Sequence, residues 1–315
     1  MDFMIDDRTN VILYYAFVLI AFLITGFFIF IVAKKSPPAL CSYRNNLINL
    51  TFWYTIDMFA FGIMLQPGVM QNKNAVSGQA LGLSSFFGKK AVYGAISGTI
   101  LISANVTLAI WLCFMTRYIQ LAHANLWRLL RSHYGTVLYV LMHVAVTLVS
   151  CIIVYVFVLY ADVHEIDGNL IFPLEIQVNF GILLLLSCVV CALVLLCLSL
   201  IIFTALSIRA LRSQRHIMSS KTYRLHLLLT ANLVLLTLLP VIFEIVPGTL
   251  TCILLYLKLP FASTVFTTTL HLPFIEIVLS ECVTLGFVTP YRKAVFKLLQ
   301  KMYLRSSAVY GFSRS

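Results

Sequence analysis

The chain has 315 residues, of which 61% are hydrophobic and only 10% are charged, and its formal net charge is +11. Because soluble domains carry about 25% charged residues, this composition excludes an ordinary water-soluble protein. A positive net charge would suggest nucleic acid as the partner of a soluble protein, but in a membrane protein the position of the charges along the chain matters more.

Seven segments are long and apolar enough to cross the hydrocarbon core, which requires about 20 residues of helix. They lie at about residues 11–33, 46–66, 91–116, 136–160, 181–206, 225–247 and 263–289. The sequence therefore predicts an all-α membrane protein with a seven-transmembrane helix bundle over residues 1–289. Acidic residues before the first segment and Lys34 and Lys35 after it exclude a cleaved signal peptide. The apolar run 249–257 is too short to span and is predicted to be a loop against the bundle.

Lys and Arg are distributed unequally between the two sides of this predicted bundle. One side has 17 of the 22, namely Lys34, Lys35, Arg44, Arg117, Arg128, Arg131, Arg209, Arg212, Arg215, Lys221, Arg224, Arg292, Lys293, Lys297, Lys301, Arg305 and Arg314. The opposite side has five basic residues and seven acidic ones, which are Asp2, Asp6, Asp7, Asp162, Glu165, Asp167 and Glu175. Basic residues remain cytoplasmic, so the N-terminus is predicted to be extracellular and the C-terminus cytoplasmic.

The tail, residues 290–315, begins with a proline that predicts the end of the seventh helix. Behind it, Val295, Leu298 and Met302 recur at helical spacing, while Lys293 and Lys297 lie on another face. This pattern predicts a short amphipathic helix on the anionic inner leaflet. The alternative is that these charges only set the orientation.

The sequence offers no catalytic motif and no loop long enough for an enzymatic domain, so we predict that the chain is not an enzyme and uses no cofactor. Metal binding is not predicted either. His271, Glu276 and Glu281 follow one another at five-residue spacing. Helical ligand pairs need three or four residues between them in order to share a face.

Four acidic residues, Asp57, Glu244, Glu276 and Glu281, lie inside the predicted spans, where no Lys or Arg is positioned to neutralise them. An acidic residue at the centre of a span costs about 2.5–3.5 kcal/mol, so each one is protonated, hydrated, bound to a small cation or facing a ligand. Hydrogen bonding within the bundle is the simplest interpretation for each of the four.

A ligand pocket is the other interpretation of the intramembrane acids. We expect it to involve Glu244, near the outer end of the sixth helix, and Glu276. Aromatic and polar candidates for the same pocket are Tyr93, Phe243 and His271.

Two prolines lie within predicted spans, Pro240 in the sixth and Pro273 in the seventh. Each removes a backbone hydrogen bond and predicts a helix kink. Such a kink is either a static bend or a hinge that lets the inner helix ends move.

Several stretches together resemble a known family. They are "PPALCSYRNNLINL" (37–50), "LQPGVMQNKNAVSGQALGL" (65–83), "FMTRYIQL" (114–121), "MSSKTYRLHLLLTANLVLLTLLP" (218–240) and "FVTPYRKAVFKLL" (287–299). In their order and spacing they are similar to G-protein-coupled receptors of the nematode serpentine chemoreceptor type, in the Str superfamily, and they most resemble class d.

The resemblance implies a plasma-membrane receptor of chemosensory neurons, located in the sensory cilium. It would bind a small environmental or pheromone-like molecule between the outer helix halves and activate a heterotrimeric G protein. By position, Arg117 and Tyr118 match the Arg-Tyr that closes helix three in such receptors, and Tyr291 and Arg292 match the Pro-Tyr-Arg that ends helix seven.

The sequence departs from rhodopsin-like receptors at two points. Thr116 replaces the acidic residue before the Arg, so an ion pair with that neighbour is excluded. Neither 81–94 nor 161–180 contains a cysteine, so the usual disulfide cannot hold the second extracellular loop.

The inner face itself suggests where a partner docks. Arg209, Arg212 and Arg215 recur every three residues, and Lys221, Arg224 and Lys293 add to a positive crevice suited to carboxylate groups. The alternative is that these charges serve orientation alone. A rival function, a seven-helix channel or transporter that uses the intramembrane acids as an ion path, remains open at this point.

Overall fold

A computed structural model describes residues 7–37, 40–72, 75–160, 164–166, 169–173, 180–257, 259 and 261–312. Its helices are α1 (Asp7–Lys35), α2 (Cys41–Phe59), α3 (Lys89–Ala122), α4 (Ala124–Leu130), α5 (His133–Tyr160), α6 (Phe180–Ser213), α7 (Ser220–Pro240), α8 (Val246–Tyr256), α9 (Ala262–Thr269), α10 (Leu272–Phe287) and α11 (Thr289–Phe312). Its strands are β1 (Pro67–Asn72), β2 (Ala75–Ala80), β3 (His164–Ile166) and β4 (Asn169–Pro173). Two π-helical segments, Ala60–Leu65 and Val241–Ile245, follow α2 and α7, and a 3₁₀ helix covers Leu83–Phe87.

Seven helical stretches in the described residues are long and apolar enough to cross a membrane, which confirms the predicted seven-helix membrane fold. They are Asp7–Lys35, Cys41–Leu65, Lys89–Ala122, His133–Val156, Val194–Ser213, Ser220–Thr251 and Ala262–Phe287, here called the first to seventh spans. Their lipid-facing side chains, such as Leu148 and Ile201, are exposed because apolar residues on that side face hydrocarbon rather than a core.

Some helices extend beyond the predicted apolar segments, such as α3 to Ala122 and α6 to Ser213, because polar residues continue the helix outside the hydrocarbon. The prediction of a loop at 249–257 is wrong, since Val246–Tyr256 is helical. Pro240 lacks an amide donor, and the π-helical turn Val241–Ile245 accommodates this gap without ending the helix. The sixth span is therefore one helical rod with an irregular turn.

The seventh span is interrupted rather than kinked. Helix α9 ends at Thr269, and α10 begins at Leu272 with Pro273 in its first turn. Proline is favoured in that turn because its missing N–H needs no partner there. Pro273 thus begins a helix, whereas Pro240 lies within one.

A four-stranded antiparallel sheet lies at the end of the bundle where α1 begins, which we call the N-terminal end. The strand order is β1-β2-β4-β3. Its central pairing, Ser77 with Pro173, Gly78 with Phe172 and Gln79 with Ile171, joins the connection after the second span to the connection after the fourth. Backbone pairing thus holds the connection after the fourth span in place, although the sequence offers no disulfide to do so.

Helix packing is closest around Gly62, in the π-helical turn of the second span. A Cβ atom at this position would overlap Val18 of α1 and would lie 2.7 Å from Cζ of Phe274 in α10. Both neighbours belong to a buried cluster with Tyr14 and Met58. A residue without a side chain is therefore needed where the first, second and seventh spans meet.

The tail helix α11 lies at the opposite end and is longer than the short helix predicted within 290–315. Val288, with an extended backbone, separates α11 from α10. On one face Tyr291 is buried and Leu298 packs against the core, while Lys293 and Lys297 are exposed. Of the acids counted at the N-terminal end, Asp2, Asp6, Asp162, Asp167 and Glu175 lie outside the described residues.

Candidate functional site

Three of the four intramembrane acids lie within electrostatic range of Tyr54 and form a group that we call the carboxyl cluster. Asp57 comes from α2, Glu244 from the π-helical turn after Pro240, and Glu276 from α10. Glu244 lies within electrostatic range of both Asp57 and Glu276. The cluster lies between the middle of the bundle and its N-terminal end. Three separate spans supply its members.

Glu276 is the most enclosed member of the carboxyl cluster, with no exposed surface. Its Oε1 accepts hydrogen bonds from the hydroxyl of Ser280 at 2.8 Å and from the hydroxyl of Tyr54 at 3.3 Å. Its Oε2 is buried and has no hydrogen-bond donor among the described residues. One oxygen of this carboxyl group is therefore satisfied by the described residues and the other is not.

Asp57 and Glu244 are more accessible than Glu276. The Asp57 carboxyl accepts a hydrogen bond from the hydroxyl of Ser103 in α3, with 3.4 Å between the oxygens. Ser103 and Glu244 are both exposed, although they lie well inside their spans. Glu244 and Ser103 are therefore the accessible part of the carboxyl cluster, and Glu276 is its enclosed part.

Sequence reasoning missed the hydroxyls of this site. Ser280 lies four residues after Glu276, on the same helix face, and Tyr54 lies three residues before Asp57. The Ser280 spacing was a usable signal, because a hydroxyl one turn from an intramembrane acid is placed to donate to it. Tyr54 instead donates to Glu276 of another helix, which no spacing indicates.

The remaining ligand candidates lie elsewhere. His271 is buried, with Nε2 2.9 Å from Oδ1 of Asn10 and its ring 4.3 Å from that of Tyr14. Tyr93 packs near the start of α3, beside a separate apolar cluster. Phe243 is half-buried in the same π-helical turn as Glu244. Of these three predicted residues, only Phe243 shares an element with the carboxyl cluster.

Glu281, the fourth acid, is held separately. It is 3% exposed, and its Oε1 and Oε2 lie 2.9 and 3.1 Å from the hydroxyl of Thr25 in α1. This contact ties the first span to the seventh and satisfies the carboxyl within the protein, as the simplest interpretation of the sequence expected.

The opposite end of the bundle centres on Arg117, which is 4% exposed. Its Nη2 donates to the backbone carbonyl of His226 at 2.7 Å, and its Nε lies 3.4 Å from the hydroxyl oxygen of Thr230. Its Nη1 donates to Gln120 Oε1 at 2.9 Å. Arg117 therefore joins α3 to α7 through neutral acceptors, with no carboxylate among its described partners.

Thr116, in the position of the acidic residue of rhodopsin-like receptors, has a structural contact of its own. Its hydroxyl accepts a hydrogen bond from Asn46 Nδ2 at 2.5 Å and donates to the carbonyl of Leu112 at 2.7 Å. The hydroxyl of Tyr139 donates to Asn46 Oδ1 at 3.1 Å. A neutral polar network joins α2, α3 and α5 at this point.

The other residues predicted to face a G protein differ in accessibility. Those that are exposed are Arg209, Arg212, Arg215, Lys221, Arg224, Arg292 and Lys293. Tyr118 is half-buried beside His123, and Tyr291 is fully buried, with its hydroxyl 2.9 Å from that of Ser36. Arg117 and Tyr291 would therefore reach a partner only after the helices move apart.

A separate groove of about 570 Å³ lies between α2 and α5, lined by residues that include Trp53, Tyr139 and His143. It contains none of the predicted ligand residues. His143 itself is hydrogen-bonded, with Nδ1 2.8 Å from Oδ1 of Asn105. Among the described residues, no group of three or more His, Cys, Asp or Glu side chains is placed to hold a metal ion.

Seven apolar helices define a multi-pass membrane protein, with the Arg117 contact at one end and the carboxyl cluster nearer the other. Residues 7–301 match the family described as serpentine type 7TM GPCR chemoreceptor Srh, and the chain belongs to that family. No match was found among curated proteins. The broad identification as a serpentine chemoreceptor is confirmed, and the assignment to class d is wrong. The family is one of receptors, not of enzymes.

Proposed function

We propose that this chain is a chemosensory receptor of the plasma membrane that binds a small environmental or pheromone-like molecule in the N-terminal half of the bundle. It activates a heterotrimeric G protein at the opposite end. Membership in a family of GPCR-type chemoreceptors supports the receptor function. The single observation that carries the coupling is the contact of Arg117 in α3 with His226 and Thr230 in α7.

The sixth span connects the two functional regions. It contains His226 and Thr230 before Pro240, and Glu244 of the carboxyl cluster in the π-helical turn directly after Pro240. Irregular helical turns at proline permit bending. A ligand that prefers a bent sixth span therefore draws His226 and Thr230 away from Arg117, which frees the guanidinium for a carboxylate of the G protein.

The orientation of the chain is part of the proposal, with the N-terminus outside and the basic end in the cytoplasm. The exposed basic residues after the fifth and before the sixth span support it, because positive residues remain cytoplasmic. Epitope tags at either terminus test the orientation in intact cells. Only the N-terminal tag should bind antibody before permeabilisation. A fluorescent fusion in chemosensory neurons tests the expected location in the sensory cilium.

The coupling test is a screen of small odorants on cells that express the full chain, with cyclic nucleotide or calcium as the readout. We expect a response that a G-protein inhibitor abolishes and that Arg117→Ala removes at equal surface expression. Arg128→Ala, at an exposed position of α4, is the matched control and should preserve the response. An ionic current that ignores the inhibitor and disappears with Glu276→Gln would instead identify a channel.

A further inference from the structure

The carboxyl cluster has three acidic side chains and, among the described residues, no basic side chain beside them. Asp57, Glu244 and Glu276 come from three spans that contain no Lys or Arg within 46–66, 225–247 and 263–289. In the part of the chain that the structure describes, the electrostatic partners of Glu244 and Glu276 are other acids and a tyrosine, and no basic group is among them. Ionised carboxylates in a low-dielectric interior are unfavourable unless a positive charge or donors compensate them.

The free oxygen of Glu276 gives a second, geometric reason to expect a ligand. Tyr54 and Ser280 both donate to Oε1, whereas the buried Oε2 accepts from no described residue. Leaving a buried acceptor without a donor has a free-energy cost, so such groups usually have a partner. Any partner supplied from outside must bring a hydrogen-bond donor to Oε2.

The surroundings of the cluster define the shape of that partner. Glu244 and Ser103 are exposed, so a molecule can approach the cluster from their side. The π-helical turn that carries Glu244 also contributes the half-buried ring of Phe243, and Phe61 is half-buried in the turn after α2. Acidic groups with apolar side chains in the same turns suit a cation with a hydrocarbon body.

We propose that the ligand of this receptor is a small protonated amine, whose N–H group donates to Oε2 of Glu276 while Asp57 and Glu244 stabilise its charge. A hydrogen bond between a cationic donor and a carboxylate is roughly twice as strong as one between two neutral groups. A bare metal ion fits less well, because the described residues contain no group arranged to coordinate one. This inference rests on the proposed receptor function, but amine binding is measurable without signalling.

The binding test uses the purified full chain in detergent micelles. Its unfolding temperature is measured with isoamylamine and 2-phenylethylamine, and with isoamyl alcohol and 2-phenylethanol as neutral counterparts of the same shape. We expect at least one amine to raise the unfolding temperature in a saturable manner and its alcohol to have no such effect. No shift with either amine, or equal shifts with amine and alcohol, would overturn the proposal. The unfolding temperature is also compared in sodium chloride and in potassium chloride. A sodium-specific increase as large as that produced by the amine would identify a small metal cation as the ligand instead.

Variants locate the binding group. Glu276→Gln should weaken amine binding by about tenfold or more, because a charge-assisted hydrogen bond is lost. Glu244→Gln, at an exposed position, should also weaken amine binding. It provides the test if Glu276→Gln fails to fold. Glu281→Gln, in the same helix but bonded to Thr25, removes a charge near Glu276 without removing a binding group, and it should weaken binding less than Glu276→Gln. Unchanged binding by Glu276→Gln and Glu244→Gln would contradict the assignment.

The signalling screen separates this proposal from the proposed function. If an amine raises the unfolding temperature in wild type but not in Glu244→Gln, the ligand class is supported whether or not a G protein responds. If a neutral odorant activates the receptor through a G protein and neither amine binds, the receptor function holds and the amine proposal fails.

Discussion

The guanidinium of Arg117 donates a hydrogen bond from Nη2 to the backbone carbonyl of His226, across 2.7 Å between α3 and α7. Hydrogen bonds with charged partners on both sides are stronger than those with one neutral partner. The contact that holds the two helices together here is therefore weaker than an ion pair would be. Its neutral acceptors favour a receptor that opens with a modest input of binding free energy.

Replacing Thr230 with valine should raise signalling in the absence of ligand. The change removes the hydroxyl 3.4 Å from Nε of Arg117 and leaves the helix otherwise intact. Interhelical hydrogen bonds in membranes contribute about 0.6 kcal/mol on average, so basal activity should rise about two- to threefold. The control is Thr237→Val, because the Thr237 hydroxyl bonds only to carbonyls of its own helix. Equal basal activity in the two variants would contradict the role of Thr230.

Asn232→Leu should destabilise the bundle more than any single change to its partners. Asn232 is fully buried, and its Nδ2 donates to the hydroxyl of Tyr43 at 2.7 Å and to that of Thr284 at 3.1 Å. Loss of both bonds should lower the free energy of unfolding by about 1–2 kcal/mol, and Tyr43→Phe by about half as much. Unfolding temperatures in detergent show which variant is less stable. A larger loss of stability for Tyr43→Phe than for Asn232→Leu would refute the prediction.

Thr25→Val should destabilise the contact between the first and seventh spans by about 1–3 kcal/mol, because it leaves the buried Glu281 carboxyl without its donor. In a Glu281→Leu background the same change should be nearly neutral, since both polar groups are then absent. A double-mutant cycle measures the difference. If Thr25→Val costs as much in both backgrounds, the loss comes from packing and not from the hydrogen bond.

Gly62→Ala should destabilise the N-terminal half of the bundle by about 1–3 kcal/mol, since the added methyl group overlaps Val18 and Phe274. A second change, Val18→Ala, should restore part of the loss. Gly98→Ala in α3 is the matched control, because a Cβ there meets nothing within 4 Å. Similar unfolding temperatures for Gly62→Ala and Gly98→Ala would show that the turn can shift to accept a side chain.

The seven spans could be predicted because hydrocarbon imposes both length and apolar composition on every helix that crosses it. The sheet could not, because β1 and β2 contain glycine, proline and polar residues in place of an alternating apolar pattern. The helical state of 249–257 was missed because it depends on the π-helical turn after Pro240, which carries the helix past a residue that usually interrupts one.

The site was predictable in its residue types but not in its arrangement. The sequence marked Glu244 and Glu276 as unpaired acids within spans. Their electrostatic proximity could not be predicted, because Glu244 lies in a π-helical turn and sequence periodicity assumes a regular helix. The burial of Arg117 was also missed, because its principal acceptor is a backbone carbonyl, which every residue has and no motif reveals.

Pairing of β2 with β4 also bears on how such a receptor diversifies. A disulfide depends on two particular side chains and on an oxidising compartment during folding. The pairing of β2 with β4, between residues Ser77–Gln79 and Ile171–Pro173, depends on main-chain groups. Most substitutions leave these groups unchanged. The side chains on these loops can therefore vary widely between gene copies while the architecture persists. A scaffold of this kind can acquire a new odorant preference through substitutions in these loops, without a change of fold.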